Sequence, residues 1–194
     1  MKKGTRLTVG LASLLLVVLY VTPIWQITLE APQYPEGIGM HIRIDNVTGQ
    51  KPNDLKNING LNHYIGMKEI VPESIPELRI MPWVIGGLIV IGRTAAMTGW
   101  RWVGYAGIGL FVCTLLVGLV DFYMWGYDYG HNLNPKAAIR IPGMAYQPPL
   151  IGSKKLLNFT AHSWPAVGGW AAAVSLVVGT LAMFFDRKSS RGAK

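Results

Sequence analysis

Cysteine is all but missing from this chain: Cys113 is the one thiol in 194 residues. No intrachain disulfide can form, and a closed cysteine-rich zinc site is excluded with it. Charged residues are also few, 14% against 51% hydrophobic, which is too apolar for an ordinary soluble domain of this length. Acids are the scarcer sign, 10 against 18 bases. There is no P-loop, no dinucleotide-binding glycine motif, no CxxC or CxxCH and no HExxH, so the chemistries those motifs mark lack their signature residues. Histidine is absent from the middle of every apolar run, which removes the ligands a four-helix bundle needs to bury two haems. No internal repeat is present.

What the chain does have is uncharged length. Residues 7–25, 102–120 and 163–185 contain no charge at all, and each is long enough to cross a hydrocarbon core of ~30 Å as a helix. A fourth run, residues 79–99, is interrupted by Arg93, whose long stem reaches the headgroups from a position near the end of a span. The expected spans are residues 7–26, 80–98, 102–124 and 164–185. With the N-terminus inside, the inner side collects Lys2, Lys3, Arg6, Arg93, Arg101, Arg187, Lys188, Arg191 and Lys194 against Asp186 alone, whereas bases and acids balance outside. That asymmetry obeys the positive-inside rule and accounts for the whole formal charge of +8. Basicity here reports topology, so nucleic acid is not an expected partner. The N-terminal run resembles a signal peptide, but it ends in Tyr20, Thr22-Pro23 and Trp25 without a small-x-small site, which favours an uncleaved anchor.

These features predict an all-α protein of the bacterial cytoplasmic (inner) membrane, multi-pass, with both termini cytoplasmic and lipid as one partner. The chain reads as a single membrane domain, residues 1–194. Two loops, residues 26–79 and 127–162, form an irregular extracytoplasmic cap. In the first, a turn is expected at Pro35-Glu36-Gly37, a short strand at MHIRI and a short helix from Asn53 or Asp54 to Asn59. In the second, KKLLNF reads as a short interfacial helix. Ser163 and Pro165 read as the cap and first turn of the last span.

All four histidines, His41, His63, His131 and His162, fall on the outer side, with Met40, Met67 and Met144. His63 and Met67 have the i, i+4 spacing of one helix face, whereas Met40 and His41 point to opposite faces of a strand. Thioether with imidazole is a soft, neutral donor set that suits Cu(I), which makes Met40, His41, His63, Met67 and His162 the candidate metal ligands. The alternative is structural: Met40 as strand core, His63 and His162 as single hydrogen-bonding groups, His131 in a turn. On that reading His63 and His162 still share a polar pocket, with GLNHYIGM packed against NFTAHSWP. Asp121, beside the last apolar turn of the third span, is either a proton relay or an acceptor for neighbouring groups. No nucleophile–base or metal–base pair is evident, and a catalytic role is not expected.

The strings APQYPEGIGMHI, NINGLNHYIGMKEI and PPLIGSKKLLNFTAHSWPAVGG resemble segments of small bacterial membrane proteins found in respiratory and copper-accessory gene neighbourhoods, including those for nitrous oxide reduction. The resemblance covers the outer loops, about a third of the chain. It implies a membrane-anchored accessory factor for extracytoplasmic copper handling or assembly of a copper-dependent respiratory system, and it carries over the same five residues. The alternative is a non-catalytic structural subunit of a larger membrane respiratory or transport complex. Either way the partners are other integral membrane or extracytoplasmic proteins.

Overall fold

In a computed structural model of the chain, residues 1–156 and 158–191 are described. Leu157, within KKLLNF, and Lys194, counted in the basic tail, lie outside them. Helix α1 (Lys3–Leu15) runs into a 3₁₀ turn (Leu16–Tyr20), and strands β1 (Trp25–Ala31), β2 (Tyr34–Ile42) and β3 (Val47–Gly49) follow. Next come α2 (Asp54–Ile65), α3 (Glu77–Thr98), α4 (Arg101–His131), β4 (Gly152–Leu156), β5 (Phe159–Pro165) and α5 (Val167–Arg191). Four helical segments, Lys3–Tyr20, Glu77–Thr98, Arg101–His131 and Val167–Lys188, are long and apolar enough to cross a membrane.

The four are arranged in a ring: α1 packs on α3 and α5, and α4 packs on the far sides of both. The ring is apolar on the outside. Only 11% of the most apolar window of α4 is buried, at a mean hydropathy of 2.2. Water would penalise such a surface, and lipid would not. Trp100 and Trp102 stack at one end, while Trp83, Tyr123, Trp164 and Trp170 lie exposed toward the other, the two-belt pattern of interfacial aromatics.

The expectation of an all-α fold with an irregular cap is overturned by a five-stranded antiparallel sheet of order β3-β2-β1-β5-β4. Of KKLLNF, residues 154–156 belong to β4 and Phe159 opens β5, where a short interfacial helix was expected. Pro165 and Ser163 close β5 instead of opening α5, which starts at Val167. The β1–β2 turn falls at Pro32-Gln33, so Pro35-Glu36-Gly37 lies inside β2, where Gly37 takes a left-handed φ of 69° beside a register shift. The short helix expected to stop at Asn59 runs on to Ile65.

Two loops far apart in sequence build one sheet because of what they are attached to. β1 leaves the top of α1 and β5 leads into α5, so two packed helices hand two strands to each other, Trp25 opposite Pro165. The junction is sealed by Ala166 N–H donating to the Ile24 carbonyl (3.1 Å) and Gly168 N–H donating to the Pro23 carbonyl (2.8 Å). Deeper in the bundle, buried Ser175 donates to the Ala12 carbonyl at 2.7 Å.

One face of the sheet is apolar. Trp25, Ile27, Leu29, Ile38, Met40 and Val47 pack with Ile58 of α2, Leu78 of α3 and Tyr129 of α4. Buried Asp54 ties α2 to this layer by accepting the backbone N–H groups of Gly39 (2.9 Å) and Lys51 (3.1 Å). At the opposite end of the bundle, buried Asp186 accepts Lys2 N–H (2.7 Å), Thr5 Oγ1 (3.1 Å) and Arg101 Nε (2.8 Å), joining the starts of α1 and α4 to α5. A carboxylate at a helix N-terminus is favoured by the unpaired amides there.

A Cβ at Gly169 would lie 2.3 Å from the Ile24 carbonyl oxygen, and one at Gly87 would meet nothing within 4 Å. Gly169→Ala is therefore expected to lower the thermal midpoint of the detergent-purified protein, by an overpacking cost of about 1–3 kcal/mol. Gly87→Ala should leave it unchanged or raised.

Candidate functional site

Strand register decides which of the five expected ligands can meet. Met40 faces the apolar layer, 5% exposed, in the row Gly49–Met40–Ile27–Ser163. His41 and His162 face the opposite side, in the rows Thr48–His41–Gln26–Trp164 and Gly39–Thr28–His162–Ser153. They stand on the two strands that flank β1 and are offset by two residues. Strand spacing and rise put their backbones on the order of 11–12 Å apart.

α2 lies on the apolar side through Leu55, Ile58 and Leu61. His63, exposed on α2, is thus separated from His162 by the thickness of the sheet. Nor do His63 and Met67 share a helix face: α2 ends at Ile65, Gly66 turns the chain at φ 83°, and Met67 packs into the core. The shared His63–His162 pocket is not formed. Among the described residues there is no group of three or more His, Cys, Asp or Glu side chains able to hold one ion.

GLNHYIGMKEI has a different neighbour from the one expected. After Gly66 the chain doubles back along α2, where Asn59 pairs with both the N–H (2.9 Å) and the carbonyl (3.1 Å) of Ile70, as a strand would, and Asn62 donates to the Lys68 carbonyl at 3.2 Å. The other outer loop docks here through its residues 134–139, not through NFTAHSWP. Asn134 N–H donates to the Gly66 carbonyl (2.8 Å) and Ile139 N–H to the Tyr64 carbonyl (2.9 Å). Gly66 is required twice over, by its φ and because a Cβ there would sit 2.9 Å from the Ala137 Cβ.

This docking gathers an exposed group at the end of the molecule away from the basic tail: Tyr64, Ile139 and Ile141, with His63, Lys136 and Arg140 beside them. α4 is about 46 Å long against ~30 Å of hydrocarbon, so its last turns, which carry this loop, stand clear of a bilayer crossed from the Arg101 end. Asp121 lies about 30 Å along α4 from Arg101, exposed and without a hydrogen bond among the described residues. Sequence reading singled out neither Ile139 nor Arg140. The available signal was AAIRIPG, two isoleucines around an arginine in a stretch with no acid between Asp128 and Asp186.

On the polar face, His162 stands between two groups. Its Nδ1 shares a 2.6 Å hydrogen bond with Ser153 Oγ, and its Nε2 lies 3.6 Å from Glu30 Oε2. With Ser153 donating, the ring proton is left on Nε2, toward the carboxylate. Gln50 lies across Gly39 and donates from Nε2 to Thr28 Oγ1 at 3.0 Å, extending the polar array over β2. The Ser–His–Glu order resembles a hydrolytic triad, but Ser153 is exposed on β4, an edge strand of the sheet. Hydrolysis needs, besides three side chains in that order, donors preorganised around a developing oxyanion. The array is suited to hydrogen bonding rather than to acyl transfer.

Compared with known proteins, the chain matches no family model and no curated protein sequence.

Ser153 is expected to remain unlabelled by a fluorophosphonate probe at concentrations that saturate a serine hydrolase. Ser153→Ala should lower the thermal midpoint only slightly, since an exposed hydrogen bond contributes about 0.5–1.5 kcal/mol. Covalent labelling that Ser153→Ala abolishes would restore a catalytic reading.

Proposed function

We propose that this is a non-catalytic, membrane-anchored accessory subunit. Its sheet-bearing module stands on the extracytoplasmic side and docks another protein of a copper-dependent respiratory system. The charge bias supports the orientation, since the sequence places nine bases against one acid, Asp186, at the helix end opposite the sheet. The observation that carries the docking role is the Tyr64–Ile139–Ile141 group: apolar and aromatic, lifted clear of the hydrocarbon, and rimmed by Lys136 and Arg140. Lipid does not cover such a patch, and aromatic anchors beside arginine are what protein interfaces favour.

The respiratory and copper setting rests on the resemblance of the outer-loop strings. A copper-carrying role has less support than a docking role, because the expected donors are divided between the two sides of the sheet and soft ligands of one ion must converge. Accessory function through contact asks nothing of His41 and His63 as a pair.

A photo-crosslinking residue placed at Tyr64 or Ile139 in cells is expected to give a discrete protein adduct, and one at Glu36, near the hairpin tip, none. Charge reversal by Lys136→Glu with Arg140→Glu should weaken the adduct at least several-fold. In parallel, Cu(I) uptake by the purified protein should be the same with and without His41→Ala and His63→Ala. One tight copper equivalent lost in both variants, with no adduct at either site, would replace docking by copper carriage.

A further inference from the structure

The basic end of the bundle contains a groove of about 430 Å³ between α1 and α3, lined by Lys3, Arg6, Leu7, Gly10, Leu11, Arg93, Ala96 and Met97. Three of these are cations and none is an acid. Arg6 is already engaged, its guanidinium donating to the Ala96 and Met97 carbonyls at the end of α3. Lys3 and Arg93 have no hydrogen bond or ion pair among the described residues. Arg93 lies about 7–8 Å in from the last residue of α3, and its guanidinium reaches across to Gly10, with Nη1 3.8 Å from where a Cβ there would be.

The order of groups along the groove is that of a phospholipid. α1 rises through Lys3, Arg6-Leu7 and Gly10-Leu11, so Lys3 and Arg6 stand at the mouth, the Arg93 guanidinium lies level with Gly10, and exposed Leu7 and Leu11 flank this row of cations. The missing side chain at Gly10 keeps the two helices apart by no more than a glycine–alanine contact and leaves the floor open. An unpaired guanidinium at the hydrocarbon boundary is costly, and a phosphate oxygen pair answers its fork geometry. We infer that this groove binds one anionic phospholipid, its phosphate between Arg93 and Lys3 and an acyl chain along Leu7 and Leu11. Basic pockets between spans on the cytoplasmic side are suited to such headgroups. The site rests on the bundle being membrane-embedded; binding is measured in detergent, so its failure is distinct from a failure of the proposed orientation.

The test is native mass spectrometry of the full chain in detergent, titrated separately with phosphatidylglycerol, phosphatidylcholine of the same chain length, and inorganic phosphate. One phosphatidylglycerol should be retained in preference to phosphatidylcholine, with inorganic phosphate binding far more weakly. Arg93→Gln and Lys3→Gln should each weaken phosphatidylglycerol about fivefold, the factor that one basic contact represents, and Arg93→Lys should keep most of the affinity. Lys3 is exposed at the start of α1, so its variant reports on binding even where Arg93→Gln does not fold. Equal retention of the two lipids, wild-type affinity in the glutamine variants, or inorganic phosphate binding as tightly as the lipid would each overturn the assignment.

Discussion

The crossing of two chain segments at the top of the bundle, Pro23-Ile24 leaving α1 and Ala166 to Gly169 entering α5, governs the rest of the structure. Here a helix pair becomes a strand pair. The Pro23 and Ile24 carbonyls are taken by Gly168 and Ala166 N–H groups, and the glycines allow a backbone approach that a side chain would prevent. Once β1 and β5 are joined in register, β2 and β3 follow on one side and β4 on the other, and the apolar face they create must be covered. α2 and the upper turns of α3 and α4 cover it. Bundle and module are thus one construction, because the central pair of the sheet is the continuation of α1 and α5.

A bilayer explains why the non-helical structure collects at one end. Open sheet edges and irregular backbone are not tolerated against hydrocarbon, so they must lie beyond it or be covered by protein. The opposite end is reduced to a two-residue link between α3 and α4 and a clamp in which Asp186 gathers α1, α4 and α5. The two ends are also chemically different. The sheet end carries a polar face with Glu30 and His162 and an exposed apolar patch beside Lys136 and Arg140; the other end carries a groove lined by Lys3, Arg6 and Arg93.

Four apolar helices were legible because each is long, apolar and set off by one-sided charge, signals that need no knowledge of neighbours, although residues 25–26 of the first expected span belong to β1 and residues 164–165 of the last to β5. β2 was partly legible from MHIRI. The sheet as a whole was not, because its central pairing joins residues about 135 apart, and β5 hides its periodicity: its inward residues include Ala161 and Ser163 and its outward ones Trp164, nearly the reverse of an apolar-in pattern. Buried Ser163 is stable there because Trp25 Nε1 donates to it at 2.8 Å and it donates onward to the Leu150 carbonyl. The histidines failed as a site for a related reason. Adjacent residues in a strand diverge, so Met40 and His41 were parted by the pleat, and His63 and His162 by the sheet that sequence reading had not seen.

The claim on which the account turns is that the sheet end is extracytoplasmic and the clamp end cytoplasmic. Single cysteines placed at Glu36 and at Thr98 in a Cys113→Ala background, probed in intact cells with a membrane-impermeant maleimide, test it directly. Labelling at residue 36 with protection at residue 98 until lysis is the predicted result, and labelling at residue 98 with protection at residue 36 would contradict it.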